Sequence, residues 1–366
     1  MTITDPRIAA APSRPAAPTS WTTVCRRVDL TPLWGEAALV HGRQVALFLL
    51  PDGRLFAVSN QDPATGAHVI SRGIVGSRGG RPTIASPLHK DVFDLATGEC
   101  LTNPDLRLPT WQVHEDADHV IAVAPTRALV AASHGTSDAA GQRAVAALVD
   151  AVRTARPELV VADAFVDVQE PDVPTVIDGV HDDQDVTIVP LLLSAGYHVY
   201  HDLAETADAA VAEPARAASA PRDVAVSGAL GPDPRLADVL ARRLEEAGLG
   251  DDDTVVLAAA GSSDPRAVDD CHATGALLAD RIGREVTVSF ISAAEPRVPD
   301  AVAAARESAP GRVVVASYLL APGYFATLAA EAGADATSSP LLTDGDAPPA
   351  ELVAIVAERF AATSTA

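Results

Sequence analysis

Ala128-Leu-Val-Ala-Ala-Ser-His-Gly-Thr-Ser-Asp138 is a run of small apolar residues that ends in a histidine, a glycine and two hydroxyls. An uninterrupted apolar run of this length suits a strand buried on both faces, and glycine followed by small polar residues suits a tight turn into a helix. The pattern returns at Val255-Val-Leu-Ala-Ala-Ala-Gly-Ser-Ser-Asp264. Around these two stretches, further apolar runs (Leu159–Val166, Val186–Leu193, Val224–Val226, Val286–Phe290, Val313–Leu319) alternate with alanine-rich stretches of helical length, such as Ala139–Thr154 and Pro234–Ala247. Alternation of this kind predicts a doubly wound α/β fold with parallel sheets. Gly196-Tyr197 lies 61 residues beyond Gly135 and Gly323-Tyr324 lies 62 beyond Gly261, so the pattern predicts two duplicated units, over 127–250 and 251–366.

Upstream of residue 126 the rhythm differs. Gln44–Leu50, the turn pair Asp52-Gly53 and Arg54–Ser59 read as an antiparallel hairpin, and Val92–Leu95 and Val120–Val123 extend an all-β reading over 21–125. All three tryptophans, Trp21, Trp34 and Trp111, fall in this part. Residues 1–126 carry 11 basic and 12 acidic side chains, whereas the remainder carries 16 basic and 37 acidic, which sets the domain boundary near Ala124-Pro125-Thr126. Residues 1–20, with four prolines among alanines, read as a disordered tail. The chain is therefore expected to be multidomain.

Composition excludes several classes of function. A formal charge of −22 disfavours binding to nucleic-acid phosphates. Lys90 is the sole lysine, so a G-K-[ST] phosphate loop and a Ser-x-x-Lys nucleophile are absent. Cys25, Cys100 and Cys271 form no C-x-x-C pair and no secreted disulfide framework, which suggests reduced thiols and a cytoplasmic protein. The amino-terminal stretch lacks an apolar signal region and no later run reaches about 18 apolar residues, so neither export nor a membrane span is expected.

The two copies keep their glycines and hydroxyls but not their histidines. His134 aligns with Ala260 and His198 with Phe325. A residue present in one copy only suits a site that exists once, and both histidines fall just past predicted strand ends, where open α/β sheets bind ligands. Neutral imidazole holds divalent transition metals and takes protons near pH 7. His181, His201 and His272 read as solvated residues, with His201 and then His181 next in line should the site lie elsewhere.

Val130-Ala-Ala-Ser-His-Gly-Thr-Ser-Asp138, Ala164-Phe-Val-Asp-Val-Gln-Glu-Pro171, Pro190-Leu-Leu-Leu-Ser-Ala-Gly-Tyr-His-Val199 and Ala258-Ala-Ala-Gly-Ser-Ser-Asp-Pro265 resemble, in order, the signature of the sirohydrochlorin chelatases. The resemblance spans roughly 127 to 345 and implies that His134 and His198 handle the metal and the protons. The family usually shows Phe-Leu-Glu where this chain has Phe165-Val166-Asp167, so Asp167 is a shortened helper carboxylate or a cap for the helix expected near Asp172. Gly135, Thr136, Ser137, Gly196, Gly261, Ser262 and Ser263 would receive the tetrapyrrole, with amide groups at helix N-termini offsetting its carboxylates. Family members use no ATP, in keeping with the missing phosphate loop, and no tightly bound cofactor is implied.

Residues 21–125 resemble the small subunit of NAD(P)H-dependent nitrite reductase, a Rieske-like β domain. Rieske clusters take C-x-H and C-x-x-H pairs. In the matching stretches, Asn60–Gly66 and Ser86-Pro87-Leu88-His89, the residues Asp62, Ala64 and Ser86 replace three ligands and His89 alone remains, so no iron-sulfur cluster is expected. Siroheme, the cofactor of nitrite reductase, is made by inserting Fe(II) into sirohydrochlorin. The two resemblances together imply a sirohydrochlorin ferrochelatase fused to a domain suited to contact with a reductase large subunit. Co(II) insertion for corrinoid synthesis is the alternative, as is a non-catalytic assembly subunit of nitrite reductase.

Overall fold

The computed structural model describes residues 21–40, 42–157, 159–180, 184–194, 196–212, 223–308 and 311–363; the side chains of 197–201 and 211–212 lie outside the description. The predicted tail 1–20 and His181 also lie outside it. Among the described residues, nine strands form the first domain: β1 (Thr22–Arg26), β2 (Gly35–Val40), β3 (Arg43–Leu49), β4 (Leu55–Ser59), β5 (Ile74–Arg78), β6 (Arg81–Ala85), β7 (Val92–Asp94), β8 (Thr110–Glu115) and β9 (Val120–Pro125). The predicted hairpin is β3 and β4, paired antiparallel from Val45 with Ser59 to Leu49 with Leu55. Six strands make one antiparallel sheet, in the order β1-β9-β8-β4-β3-β2, and β5-β6-β7 make a second. Strand β3 is buried on both faces. Val45, Leu47 and Leu49 pack with Trp111 and Ile121, while Ala46 and Phe48 pack with Ile84 and Phe93 beneath the small sheet. The period-2 pleat thus sends alternate side chains of one strand into two separate cores.

Beyond Pro125 the chain builds two parallel sheets. The first takes β10 (Ala128–Ser133), β11 (Val161–Phe165), β12 (Val186–Pro190) and β13 (Val224–Val226) in the order β11-β10-β12-β13. The second takes β14 (Thr254–Ala259), β15 (Val286–Phe290), β16 (Val313–Tyr318) and β17 (Ala336–Thr337) in the order β15-β14-β16-β17. Identical strand orders make the sequence repeat a structural one. Among the described residues, eight α-helices join or follow these strands: α1 (Ala139–Ala155), α2 (Val173–Gly179), α3 (Tyr197–Ala212), α4 (Pro234–Glu246), α5 (Pro265–Ile282), α6 (Val298–Ser308), α7 (Tyr324–Ala330) and α8 (Ala350–Thr363). The duplicated aspartates start the duplicated helices, since the Asp138 carboxylate accepts from Gly141 N at 2.9 Å and that of Asp264 from Arg266 N at 2.9 Å. No helix among the described residues is long and apolar enough to cross a membrane.

Alternate residues of β10 and β14 point to opposite cores. Leu129 and Ala131, with Val255, Leu257 and Ala259, enter one continuous core shared by both units. Ala128, Val130 and Ala132 pack on α2 and α3, and Val256 and Ala258 on α6 and α7. The shared core holds an exchange. Helix α4, which follows the first sheet in sequence, packs on α5 and β16, and α8, at the end of the second unit, returns to α1 and β12. Leu236 and Leu240 of α4 and Leu352 and Ile355 of α8 are fully buried there. Each unit therefore has its inner face closed by the helix that follows the other sheet.

The first domain meets the α/β part at the amino ends of its strands. The Arg43 guanidinium lies 2.7 Å from the Asp185 carboxylate just before β12, with both side chains under one-tenth exposed. Asp185 also accepts from Asp223 N at 2.9 Å and its carbonyl from Ala128 N at 2.7 Å, so a single aspartate ties three segments together. A buried pair of this kind costs several kcal/mol to break from one side only. At about 3.3 Å per residue, six-residue β10 puts this junction roughly 20 Å from the carboxyl ends of the sheet.

Candidate functional site

In each sheet the strand order reverses between the first and third strands of the unit, β10 and β12 or β14 and β16, and crevices form at the carboxyl ends of such strands. The two crevices face each other and merge into one cavity of about 760 Å³, within the usual range for small-molecule sites. His134, Gly135, Thr136 and Ser137 line it from the loop after β10, and Gly261, Ser262 and Ser263 from the loop after β14. Gly196 lines it from the loop after β12, with Gly323, Tyr324 and Phe325 in the matching place after β16. Eight of the sequence-predicted site residues thus come together around one space. His198 sits in the first turn of α3, two residues beyond Gly196, but its side chain, like that of His201, lies outside the described residues.

The loops carry their glycines for a steric reason. Gly135 has φ +91° and a methyl group there would lie 2.1 Å from the Asp167 carbonyl oxygen; Gly261 has φ +92° and its methyl would lie 1.8 Å from the Ser292 carbonyl oxygen. Both features demand glycine, the left-handed backbone and the close approach alike. The segment touched is itself a repeated tight turn. Gln169 N donates to Asp167 O at 2.7 Å across Val168, and Ala294 N to Ser292 O at 2.7 Å across Ala293. Val168 and Ala293 have φ of 65° and 59°, a conformation that is uncommon for any side chain and rarest for a β-branched one.

Asp167 does not reach the cavity. Its side chain is exposed and its carboxylate accepts from Val168 N at 2.7 Å, folded back on its own turn, while its main chain grips the histidine loop, Asp167 N donating to His134 O at 3.0 Å. Nor does it cap the next helix, because Asp172 does so by accepting from Thr175 N at 2.9 Å. The helper role therefore has no geometric basis in the carboxylate, and the residue acts through its backbone. His272 stacks edge-on to Phe290, with ring centroids 5.9 Å apart, and does not line the cavity.

The histidine loop is held by two glutamines that the sequence reading passed over. Thr136 N donates to Gln169 Oε1 at 2.9 Å, and Gln142 Nε2 donates to Thr136 O at 2.8 Å. Their counterparts in the second copy are Ala294 and Val268, so the repeat had marked both as belonging to the histidine side. Gln169→Ala is expected to lower turnover at the site about tenfold, the scale for groups that orient a ligand from behind, with little change in melting temperature. Gln169→Glu keeps the acceptor and should restore most of that loss; equal rates for the parent and the alanine variant would remove the positioning role.

The floor of the cavity is chemically quiet. Burial pushes the Cys271 thiol up to about 11, so at neutral pH it is not the thiolate that a metal needs. Tyr318, also buried, donates to Leu193 O at 2.8 Å and accepts from Thr274 Oγ1 at 3.2 Å, joining the two units beneath the site. Burial raises its phenol above the ordinary value, so it too stays neutral. Leu191–Leu193, Leu319 and Leu320 supply aliphatic walls, and the lining contains no Arg or Lys among the described residues. His134 is the imidazole that the described residues bring to this lining.

In the first domain, the two loops matched to Rieske ligand positions are closed on each other. Asp62 and Ser86 are buried, and the Ser86 hydroxyl donates to the Asp62 carboxylate. The same carboxylate accepts from Ala64 N at 2.9 Å and Thr65 N at 3.2 Å. With no thiolate and one histidine, this donor set does not fit a two-iron cluster.

Comparison with known proteins gives two matches along the chain. The family described as CbiX matches residues 128–247 and 254–335, and the Rieske-like [2Fe-2S] domain matches residues 20–124. The nitrite reductase (NADH) small subunit of Salmonella typhimurium strain LT2 is 40% identical over 82 residues, 22% of this chain and 76% of that protein. The sirohydrochlorin ferrochelatase of Priestia megaterium is 29% identical over 141 residues, 38% of this chain and 51% of its own length. SirB from Bacillus subtilis, solved with Fe3+, superposes with a TM-score of 0.53 at 20% identity, covering 65% of this chain and 96% of SirB.

Proposed function

The chain belongs to the CbiX family over residues 128–247 and 254–335 and, through its first domain, to the nitrite reductase small subunits, and from that premise we propose that it is a sirohydrochlorin ferrochelatase. The observation that carries the reading is the single cavity between two facing sheet ends, armed with histidine from one copy only. Insertion of a divalent metal into a tetrapyrrole replaces two pyrrole N–H protons, so a site for it needs a metal-binding base and room for a large flat ring. His134 and His198 supply the base: each imidazole would hold Fe(II) through its one free ring nitrogen and, once the iron has passed to the ring nitrogens, that lone pair accepts one of the two displaced pyrrole protons. The ring fills the apolar cavity. Its carboxylates stay at the rim, where loop hydroxyls and amide N–H groups meet them and where no buried cation is needed.

Iron is favoured over cobalt by the company the chelatase keeps. The first domain resembles a component of the enzyme that consumes siroheme, and we assign it a role in contact with the reductase large subunit rather than in electron transfer, because its ligand positions do not fit a cluster. An anaerobic assay of the full chain with sirohydrochlorin and either Fe(II) or Co(II), followed by tetrapyrrole absorbance, tests substrate and metal together. Turnover with Fe(II) at a higher kcat/KM than with Co(II) is the expected result. Insertion of Co(II) alone would move the protein to corrinoid synthesis, and insertion of neither would leave an assembly subunit. The same preparation, once reduced, should give no paramagnetic signal from a two-iron cluster.

A further inference from the structure

The second copy has lost its histidines, yet at one of the two positions it carries something else in their place. Phe325 stands where the first copy has His198, and Tyr324 precedes it as Tyr197 precedes His198. Both rings line the cavity, and both are exposed, Tyr324 by 72% and Phe325 by 37%. Their centroids lie 6.1 Å apart with 45° between planes, so they form one tilted aromatic surface rather than two isolated side chains. Large rings left in water at the mouth of a pocket are a departure from the usual burial of aromatics, and they are the kind of residue that binds flat π systems.

The backbone that carries them is fixed against the histidine loop of the other unit. Gly141, in the first turn of α1, approaches Pro322 so closely that a methyl group on it would lie 2.3 Å from the Pro322 carbonyl oxygen. A methyl on Gly323 would meet Thr136 Oγ1 at 3.3 Å. The segment that carries the aromatic pair is thus seated against Thr136 and the first turn of α1, directly after His134 in the chain. Since the described lining holds no Arg or Lys, a polycarboxylated ligand cannot be gripped there by charge, and its conjugated body is the part left to recognise.

We propose that Tyr324 and Phe325 are substrate-binding residues, an aromatic wall on which the tetrapyrrole stacks so that its ring nitrogens are presented to the histidine loop. The inference rests on sirohydrochlorin being the substrate. On this view the duplicated fold has divided its labour: the first copy keeps the proton and metal chemistry, and the second holds the ring.

The test is a titration of the full-length protein with metal-free sirohydrochlorin, read by the shift of its absorbance band, together with steady-state insertion kinetics. The parent should bind with a shifted band. Y324A/F325A should lose affinity about 10- to 100-fold and lose the shift, with KM rising at least in proportion. Y324F/F325Y, which keeps both rings, should behave as the parent. Should the alanine variant fail to fold, Y324L/F325L retains apolar volume without the π face and is expected to lose the band shift. Parent-like binding and band shift in a folded alanine or leucine variant would overturn the aromatic wall while leaving the chelatase reading intact. A parent protein that binds no sirohydrochlorin would overturn both.

Discussion

His134→Ala is expected to lower Fe(II) insertion by roughly 10²- to 10⁴-fold, the range for removing a positioned base, without unfolding the protein. The imidazole is exposed at the cavity rim, so its loss opens no void in the core. No second-copy residue is expected to substitute, because the aligned position is Ala260 and two titratable groups of the lining, Cys271 and Tyr318, are held neutral by burial. His198→Ala should do the same, its counterpart being Phe325. Asp167→Ala should cost far less, since its carboxylate caps Val168 N and its contact with the His134 loop is made through the main chain, which alanine retains. Parent-level turnover in folded His134→Ala and His198→Ala proteins would place the chemistry elsewhere, and His201 would be the next residue to change.

The difference between Asp167 in the sequence and Asp167 in the fold shows where reading by pattern stops. Buried parallel strands announce themselves by apolar runs, and β10, β13 and β15 begin and end where the predicted stretches do, β15 with Thr287 and Ser289 set among its apolar residues. The glycine turns after β10 and β14 are equally plain, because only glycine satisfies both the backbone angle and the close approach. The turn at Val168 has no such marker: a valine occupies a conformation that would ordinarily call for glycine, so nothing in the sequence says that Asp167 is turned away from the cavity. The glutamine clamp was legible in principle. Gln142 against Val268 and Gln169 against Ala294 break the repeat as His134 against Ala260 does, but an uncharged amide draws less notice than an imidazole. The exchange of α4 and α8 was not legible at all. An amphipathic helix records that it has an apolar face and not which sheet that face will cover.

The duplicated turns supply a matched pair of substitutions whose effects should diverge. Gly135→Ala and Gly261→Ala each force a side chain into φ near +90° and against a carbonyl oxygen, at 2.1 Å and 1.8 Å respectively. The left-handed backbone costs about 1–2 kcal/mol and relief of the clash about 1–3 more, so each variant should lose roughly 2–5 kcal/mol in denaturant unfolding. The two losses should be similar because the two turns are built alike. Activity should not follow suit. To escape Asp167 O, the methyl group added by Gly135→Ala must displace the loop that carries His134 and disturb the Thr136 amide held by Gln169, and a displacement of about 1 Å at a reacting group can cost about 100-fold in rate. Relief at position 261 moves Ala260 and two serines, none of which carries an imidazole. Measured at a temperature where both variants are folded, kcat for Gly135→Ala should therefore fall about 100-fold below that of Gly261→Ala. Equal kcat values at equal stability loss would mean that the two halves of the cavity contribute alike to the chemistry, and that the lost histidines of the second copy are not the mark of a one-sided site.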